Sequence, residues 1–213
     1  MKFANKLRRC AAVSSLSIAC LLAAPAQAAV VLQVSDGGVL TGASGVTVGD
    51  LPGTYSVAFL EGSCNTLFAG CNPSQFAFSS SGQAVDASAA LLTSVFVDTG
   101  EGSFDSRPGF TRGCEGAPTC RVLTAYGVFV SGSRVGVGIA VNYDDFPSPA
   151  AFVGLQSVSE NTEDDPFKVY AVWSREAAAP TAVPEPGTLA LLGLAGAVLG
   201  WTQRRRRPAI PIQ

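Results

Sequence analysis

Carboxylates and cysteines are the side chains of this chain whose spacing admits chemistry. Asp144 and Asp145 stand together, and Glu160, Glu163, Asp164 and Asp165 follow in the next polar stretch. Hard cations take several oxygen ligands from loop carboxylates and carbonyls, so this group is a candidate calcium site of the weak extracellular kind. It lacks a D-x-D-x-D-G pattern, and a solvated acidic loop is the competing expectation. Two carboxylates such as Asp144 and Asp165 are also the minimum apparatus for hydrolysing a glycosidic bond. The chain contains no histidine. A Ser-His-Asp triad, a Cys-His dyad, an imidazole base and a His-ligated metal are therefore excluded. There is no G-x-S-x-G elbow, P-loop or dinucleotide fingerprint either. The expectation is a protein that is not an enzyme and needs no cofactor, with a carboxylate-based exported hydrolase as the alternative.

The two ends say where such a protein works. Lys2, Lys6, Arg8 and Arg9 precede an apolar stretch from Cys10 to Ala24, and Ala26-Gln27-Ala28 supplies the small residues a signal peptidase reads. Residues 1–28 are thus a predicted signal peptide. At the other end Pro184-Glu185-Pro186 is followed by an uncharged apolar run over 187–201, and then by Arg204, Arg205, Arg206 and Arg207. As a helix that run reaches roughly 22 Å at about 1.5 Å per residue, short of a hydrocarbon core of about 30 Å. Local thinning of the bilayer and snorkelling arginines close the difference, with Trp201 at the interface. The arginine cluster resists crossing the membrane, so the run is expected to be a transmembrane helix with a cytoplasmic tail, residues 208–213.

Export sets the meaning of the cysteines. Cys10 and Cys20 leave with the signal peptide, and Cys64, Cys71, Cys114 and Cys120 remain as an even set in an oxidising compartment. Their spacing favours pairing of neighbours, each pair closing a short loop rich in Gly, Asn or Pro. Three connectivities are formally open, and a four-cysteine zinc site is the functional alternative, without the paired two-residue spacing of zinc ribbons.

A signal peptide, a Pro-Glu-Pro triplet, a short apolar run and a terminal arginine cluster, in this order, resemble the PEP-CTERM sorting signal of exported Gram-negative proteins. The resemblance covers residues 184–207. It implies an exosortase-type processing enzyme as partner, transient anchorage in the inner membrane, cleavage near Pro184 and release towards the cell surface or an exopolysaccharide matrix; an uncleaved protein anchored in the inner membrane and facing the periplasm is the alternative. Extracellular polysaccharide is then a further expected partner. The stretch Gly53–Leu60 with Cys64 and Cys71, Gly102-Ser103-Phe104-Asp105 and Val169–Trp173 look like exported proteins of unknown function that carry the same tail.

Charge agrees with this partition. Residues 29–183 hold six basic and fifteen acidic residues, a net charge of −9. An acidic passenger repels nucleic acid, whose binding relies on clustered Lys and Arg. No nucleic-acid partner is expected.

The elements that must position these groups are mainly strands. Tyr55, Val57 and Phe59 alternate with smaller residues, and Val135, Val137, Ile139 and Val141 alternate with Gly136, Gly138 and Ala140. The second pattern has one β-branched face and one nearly bare face, and a bare face lets another element approach closely. Residues 121–130 and 168–173 read the same way, and 29–34 as a further strand or an N-terminal arm. Ser80 and Gln83 have capping-box spacing, and Val85, Ala89, Leu92 and Phe96 fall at helical steps, which predicts a helix over about 83–95. Residues 95–97 are the alternative strand. Phe59, Phe76, Phe78, Phe129, Tyr170 and Trp173 are expected in the core. The predicted fold class is α+β: a mainly antiparallel β domain over 29–174 with one packed helix, followed by a small-residue linker over 175–183. An all-β sandwich is the alternative.

Overall fold

Strand pairing joins the alternating segments into a single sheet. The computed structural model describes residues 29–144 and 150–177. The predicted signal peptide and transmembrane helix, the residues from Pro184 to Arg207 and the tail lie outside the described residues, as does Asp145. In chain order the elements are β1 (Val31–Val34), β2 (Leu40–Val46), β3 (Tyr55–Leu60), the one-turn helix α1 (Cys64–Leu67) and the helix α2 (Ser81–Ala90). After α2 come the two-residue strands β4 (Asp98–Thr99) and β5 (Gly102–Ser103), then β6 (Thr119–Phe129), β7 (Arg134–Tyr143), β8 (Ala150–Ser157) and β9 (Lys168–Arg175).

Seven strands form the sheet in the order β1-β2-β3-β9-β6-β7-β8, and β4 and β5 form a separate ribbon. Every neighbouring pair is antiparallel except β6 and β9, which run parallel from Arg121 opposite Lys168 to Leu123 opposite Tyr170. The expectation of a mainly antiparallel sheet with a helix on it therefore holds. The sandwich alternative does not, since no second large sheet exists among the described residues.

The helix forms where its capping signal stands. Ser80 accepts a hydrogen bond from the Gln83 N–H at 3.3 Å, and the Gln83 carboxamide oxygen reaches back to accept from the Ser79 N–H at 3.0 Å. These bonds satisfy donors that a helix start leaves unpaired. The helix continues beyond Ala90 as a π turn over Leu91–Val95 and stops at Phe96, so residues 95–97 form no strand. Its sheet-facing side is built from Ala84, Ala87 and Ser88, all fully buried. Opposite them lies the bare face of β7. A Cβ on Gly138 would meet the backbone carbonyl of Ala84, and would lie 2.9 Å from the Ser88 hydroxyl. Gly138 thus allows the helix its close approach.

Both faces of the sheet bury side chains. On the α2 side Tyr55, Val57 and Phe59 of β3, Val122 of β6, Ala140 of β7 and Val169, Ala171 and Trp173 of β9 join Leu91, Val95 and Phe96. Phe59 stacks on Phe96, with ring centroids 5.8 Å apart and planes 11° apart. A smaller cluster on the opposite face contains Leu123, Val135, Val137 and Tyr170 beneath Phe68. The Cys64–Cys71 disulfide belongs to that cluster and fastens α1 to the following turn, with Cα atoms 4.8 Å apart. Cys114 pairs with Cys120 across the entry to β6, at a Cα separation of 5.5 Å. Loops this short lose about 2–3 kcal/mol of unfolded-state freedom each when closed.

One aromatic departs from expectation. Phe129 is 43% exposed, not buried. The strand pairing of β6 with β7 shifts register between Ala125 and Gly127. Such a bulge breaks the two-residue alternation on which a sequence reading of faces depends.

Candidate functional site

The polar loop between β8 and β9 is held by a buried threonine. Thr162 accepts from the Gly62 N–H at 3.0 Å, and its own N–H donates to the Gly62 carbonyl at 3.1 Å. That anchorage presents Glu160 and Asp165 to the start of β9, where Lys168 takes both: its ammonium lies 2.8 Å from Glu160 and 2.9 Å from Asp165. Lys168 is raised above its usual pKa, first by the hydrogen bond to Glu160, against the effect of burial, and further by Asp165. Burial by itself would raise the Asp165 carboxyl, but the Lys168 hydrogen bond and the Phe167 N–H outweigh it and hold the group below its usual range.

The other acidic candidates are elsewhere. Glu163 accepts from the Asn161 side chain at 3.0 Å, Asp164 closes the short 3-10 turn Thr162–Asp164, and Asp144 follows the end of β7. Asp144 borders a hollow of about 440 Å³ with Arg107 and Phe110. Asp165 borders a different one, of about 310 Å³, with Arg121 and Tyr143. The structure therefore does not gather the candidate calcium ligands Asp144, Glu163, Asp164 and Asp165 at one point, and among the described residues no three Cys, Asp or Glu side chains are grouped to hold a metal ion. A lysine already occupies the place between the two carboxylates that do converge.

Two features were not legible as sites in the sequence. The first is an apolar groove of about 700 Å³ between the tip of the β6–β7 hairpin and β8, lined by Tyr126, Phe129, Val130, Val153, Gly154 and Leu155. Its signal is the uncharged composition of residues 150–157. The second is Glu176, just past β9. Its carboxylate accepts from the Gly45 N–H at 2.8 Å, the Thr54 hydroxyl at 2.7 Å and the Ser56 hydroxyl at 2.6 Å, while its own N–H donates to the Thr54 carbonyl. The bond from Ser56, followed by those from Gly45 and Thr54, lowers its pKa. Glu176 ties the C-terminal end of the domain to β2 and β3 at the point where the chain leaves for its tail.

Residues 182–207 match the PEP-CTERM protein-sorting motif. Pro184, Glu185, Pro186 and Arg204 to Arg207 all fall inside the matched segment. The PEP-CTERM motif supports exosortase-dependent sorting to the cell surface, with an exosortase as the processing partner. No curated protein and no solved structure matches the chain. Among the described residues no helix is long and apolar enough to cross a membrane.

The titrating groups set a pH window for the domain that leads into the PEP-CTERM tail. Asp98, Asp165 and Glu176 are held below their ordinary values of 3.8, 3.8 and 4.5. For Asp98 the leading cause is the Ser106 N–H. A carboxylate lowered on folding stabilises above its unfolded pKa and loses that contribution as pH falls through the folded one. Tyr170, raised above 10.0 by burial and then by Glu160, and Lys168, raised above 10.5, stabilise below those values and lose the contribution as pH rises. No histidine titrates between the two limits. Thermal melts should show a flat plateau from about pH 5 to about pH 10 with a decline on both sides. In Glu176→Gln the acid-side decline should be shallower. A slope centred near neutral pH would contradict this assignment.

Proposed function

We propose that this is an exported, non-enzymatic protein of the cell surface or exopolysaccharide matrix, carried through the inner membrane and cut near Pro184 by an exosortase-type enzyme. The observation that carries the reading is the PEP-CTERM motif at residues 182–207, placed directly after a folded domain that ends in the Glu176 tie. Before cutting, the apolar run over 187–201 holds the chain in the membrane while Arg204 to Arg207 keep its end on the cytoplasmic side. The small-residue stretch before Pro184 leaves the cleavage region open to a membrane-embedded enzyme. Two disulfides and a net acidic passenger suit an oxidising exterior, and extracellular polysaccharide is the expected matrix ligand.

Intact mass of the non-reduced protein, recovered from membrane, periplasmic and extracellular fractions of a host with the sorting machinery, tests this reading. The expected product is a released species that begins at Ala29, ends near Pro184 and carries both disulfides. A membrane-bound species that retains Arg204 to Arg207 in the presence of the machinery would overturn it. Retention on extracellular polysaccharide tests the ligand separately.

A further inference from the structure

Strand β8 is one of the two edges of the sheet, and within its own residues it has none of the devices that protect an edge. It is eight residues long, carries no charge and no proline, and pairs with β7 from Val141 opposite Ala150 to Arg134 opposite Ser157 without a bulge. The opposite edge, β1, is four residues long and shifts register between Gln33 and Val34. An unprotected edge offers a row of unpaired N–H and C=O groups to another strand. On β8, Phe152 is 47% exposed, Val153 50% and Leu155 54%. Beside them the hairpin tip holds Val130 at φ 51°, a conformation that a β-branched residue adopts only under strain, with its side chain 66% exposed.

We propose that β8 pairs antiparallel with β8 of a second copy of this chain, joining the two sheets about a twofold axis through Val153. Two observations select the second copy as occupant. In this register Phe152 stands opposite the partner's Gly154, and Leu155 opposite the partner's Ala151, so one large side chain on each face meets a small one, while the two Val153 side chains meet at the axis. In a domain of net charge −9, the uncharged β8 edge also lets two copies meet with little repulsion. The charged residue of α2, Asp86, packs against Gly49 in the β2–β3 connection, away from this edge.

The register gives the test. Residues directly opposite across an antiparallel ladder have Cα atoms roughly 4.5–5.5 Å apart, inside the span a disulfide bridges. The four cysteines of the domain are already paired. In the protein purified from the host of the sorting experiment, oxidised with diamide, Val153→Cys should therefore cross-link to a homodimer. Val31→Cys, equally exposed but on the other edge, should stay uncross-linked. Light scattering should give twice the chain mass for the parent and the single-chain mass for Val153→Lys, which sets two like charges opposite each other. The circular-dichroism spectrum and melt of Val153→Lys should match the parent in the same processing state and show that its fold is kept. A monomeric parent, a dimer that survives Val153→Lys, or an open series of larger species from β8 meeting β1 would each overturn the proposal. None of these readouts depends on cleavage near Pro184, so the pairing and the sorting reading fail independently.

Discussion

Replacing Trp173 by alanine is expected to lower stability by about 4 kcal/mol. Trp173 is 6% exposed and stands at the meeting of three aromatic rings: its centroid lies 5.6 Å from Phe78 and 6.5 Å from Tyr55, in edge-on arrangements. Truncation leaves a cavity between β3, β9 and the segment before α2, and it removes the indole N–H that donates to the buried Thr124 hydroxyl at 3.1 Å. Burying a polar group without its partner adds to the lost packing. Trp173→Phe separates the two effects, since it keeps most of the ring contact and loses the donor, and should cost about 1–2 kcal/mol. Circular dichroism melts of the two variants beside the parent measure both. For a protein of this size the alanine variant should melt about 10 °C lower. An alanine variant that melts with the parent would mean that the cluster around Trp173 is not the core of the domain.

The second large effect belongs to Gly138. Valine there should cost about 3 kcal/mol or more, because the new side chain points at the main chain of α2. The obstructing atoms are the carbonyl carbon and oxygen of Ala84, which is itself fully buried. Main chain in the first turn of a packed helix has no rotamer to move into, so the helix must lift from the sheet or β7 must bend. Gly136, two residues earlier on the same face, provides the comparison. The nearest atoms a Cβ there would meet belong to the Phe129 and Tyr126 rings, at 2.6 Å, and these are side chains, of which Phe129 is 43% exposed and can shift. Gly136→Ala should cost less than about 1 kcal/mol. Urea denaturation of both variants checks the difference. Equal losses at 136 and 138 would place the helix elsewhere on the sheet.

Much of the sheet was legible because its strands obey the simplest rule of their kind. Tyr55–Leu60 and Arg134–Tyr143 alternate cleanly, and each emerged as a strand with the large residues on one side. The Ser80 and Gln83 signal placed the helix start, since a cap is a local interaction between residues three apart. Leu40–Val46 was not read as a strand, because its Gly, Ala and Ser residues carry almost no alternation. Its burial comes from lying between β1 and β3. Ala150–Ser157 escaped notice for the opposite reason, with apolar residues facing both ways at a sheet edge.

What the sequence determined by itself is the address and the broad economy of the chain. The Pro-Glu-Pro triplet, the apolar run and the arginine cluster form one contiguous motif over residues 182–207, and its chemistry does not wait on folding. The missing histidines and the acidic passenger are likewise properties of composition. Only the tertiary structure decided which acidic groups meet, and it did so against the spacing. Asp144 and Asp165 line different hollows, while Lys168 gathers Glu160 and Asp165. Glu176 became a tie for donors more than a hundred residues earlier. The reason is physical: strand register sets which distant residues become neighbours, and a single bulge such as that at Ala125 reverses the faces that follow.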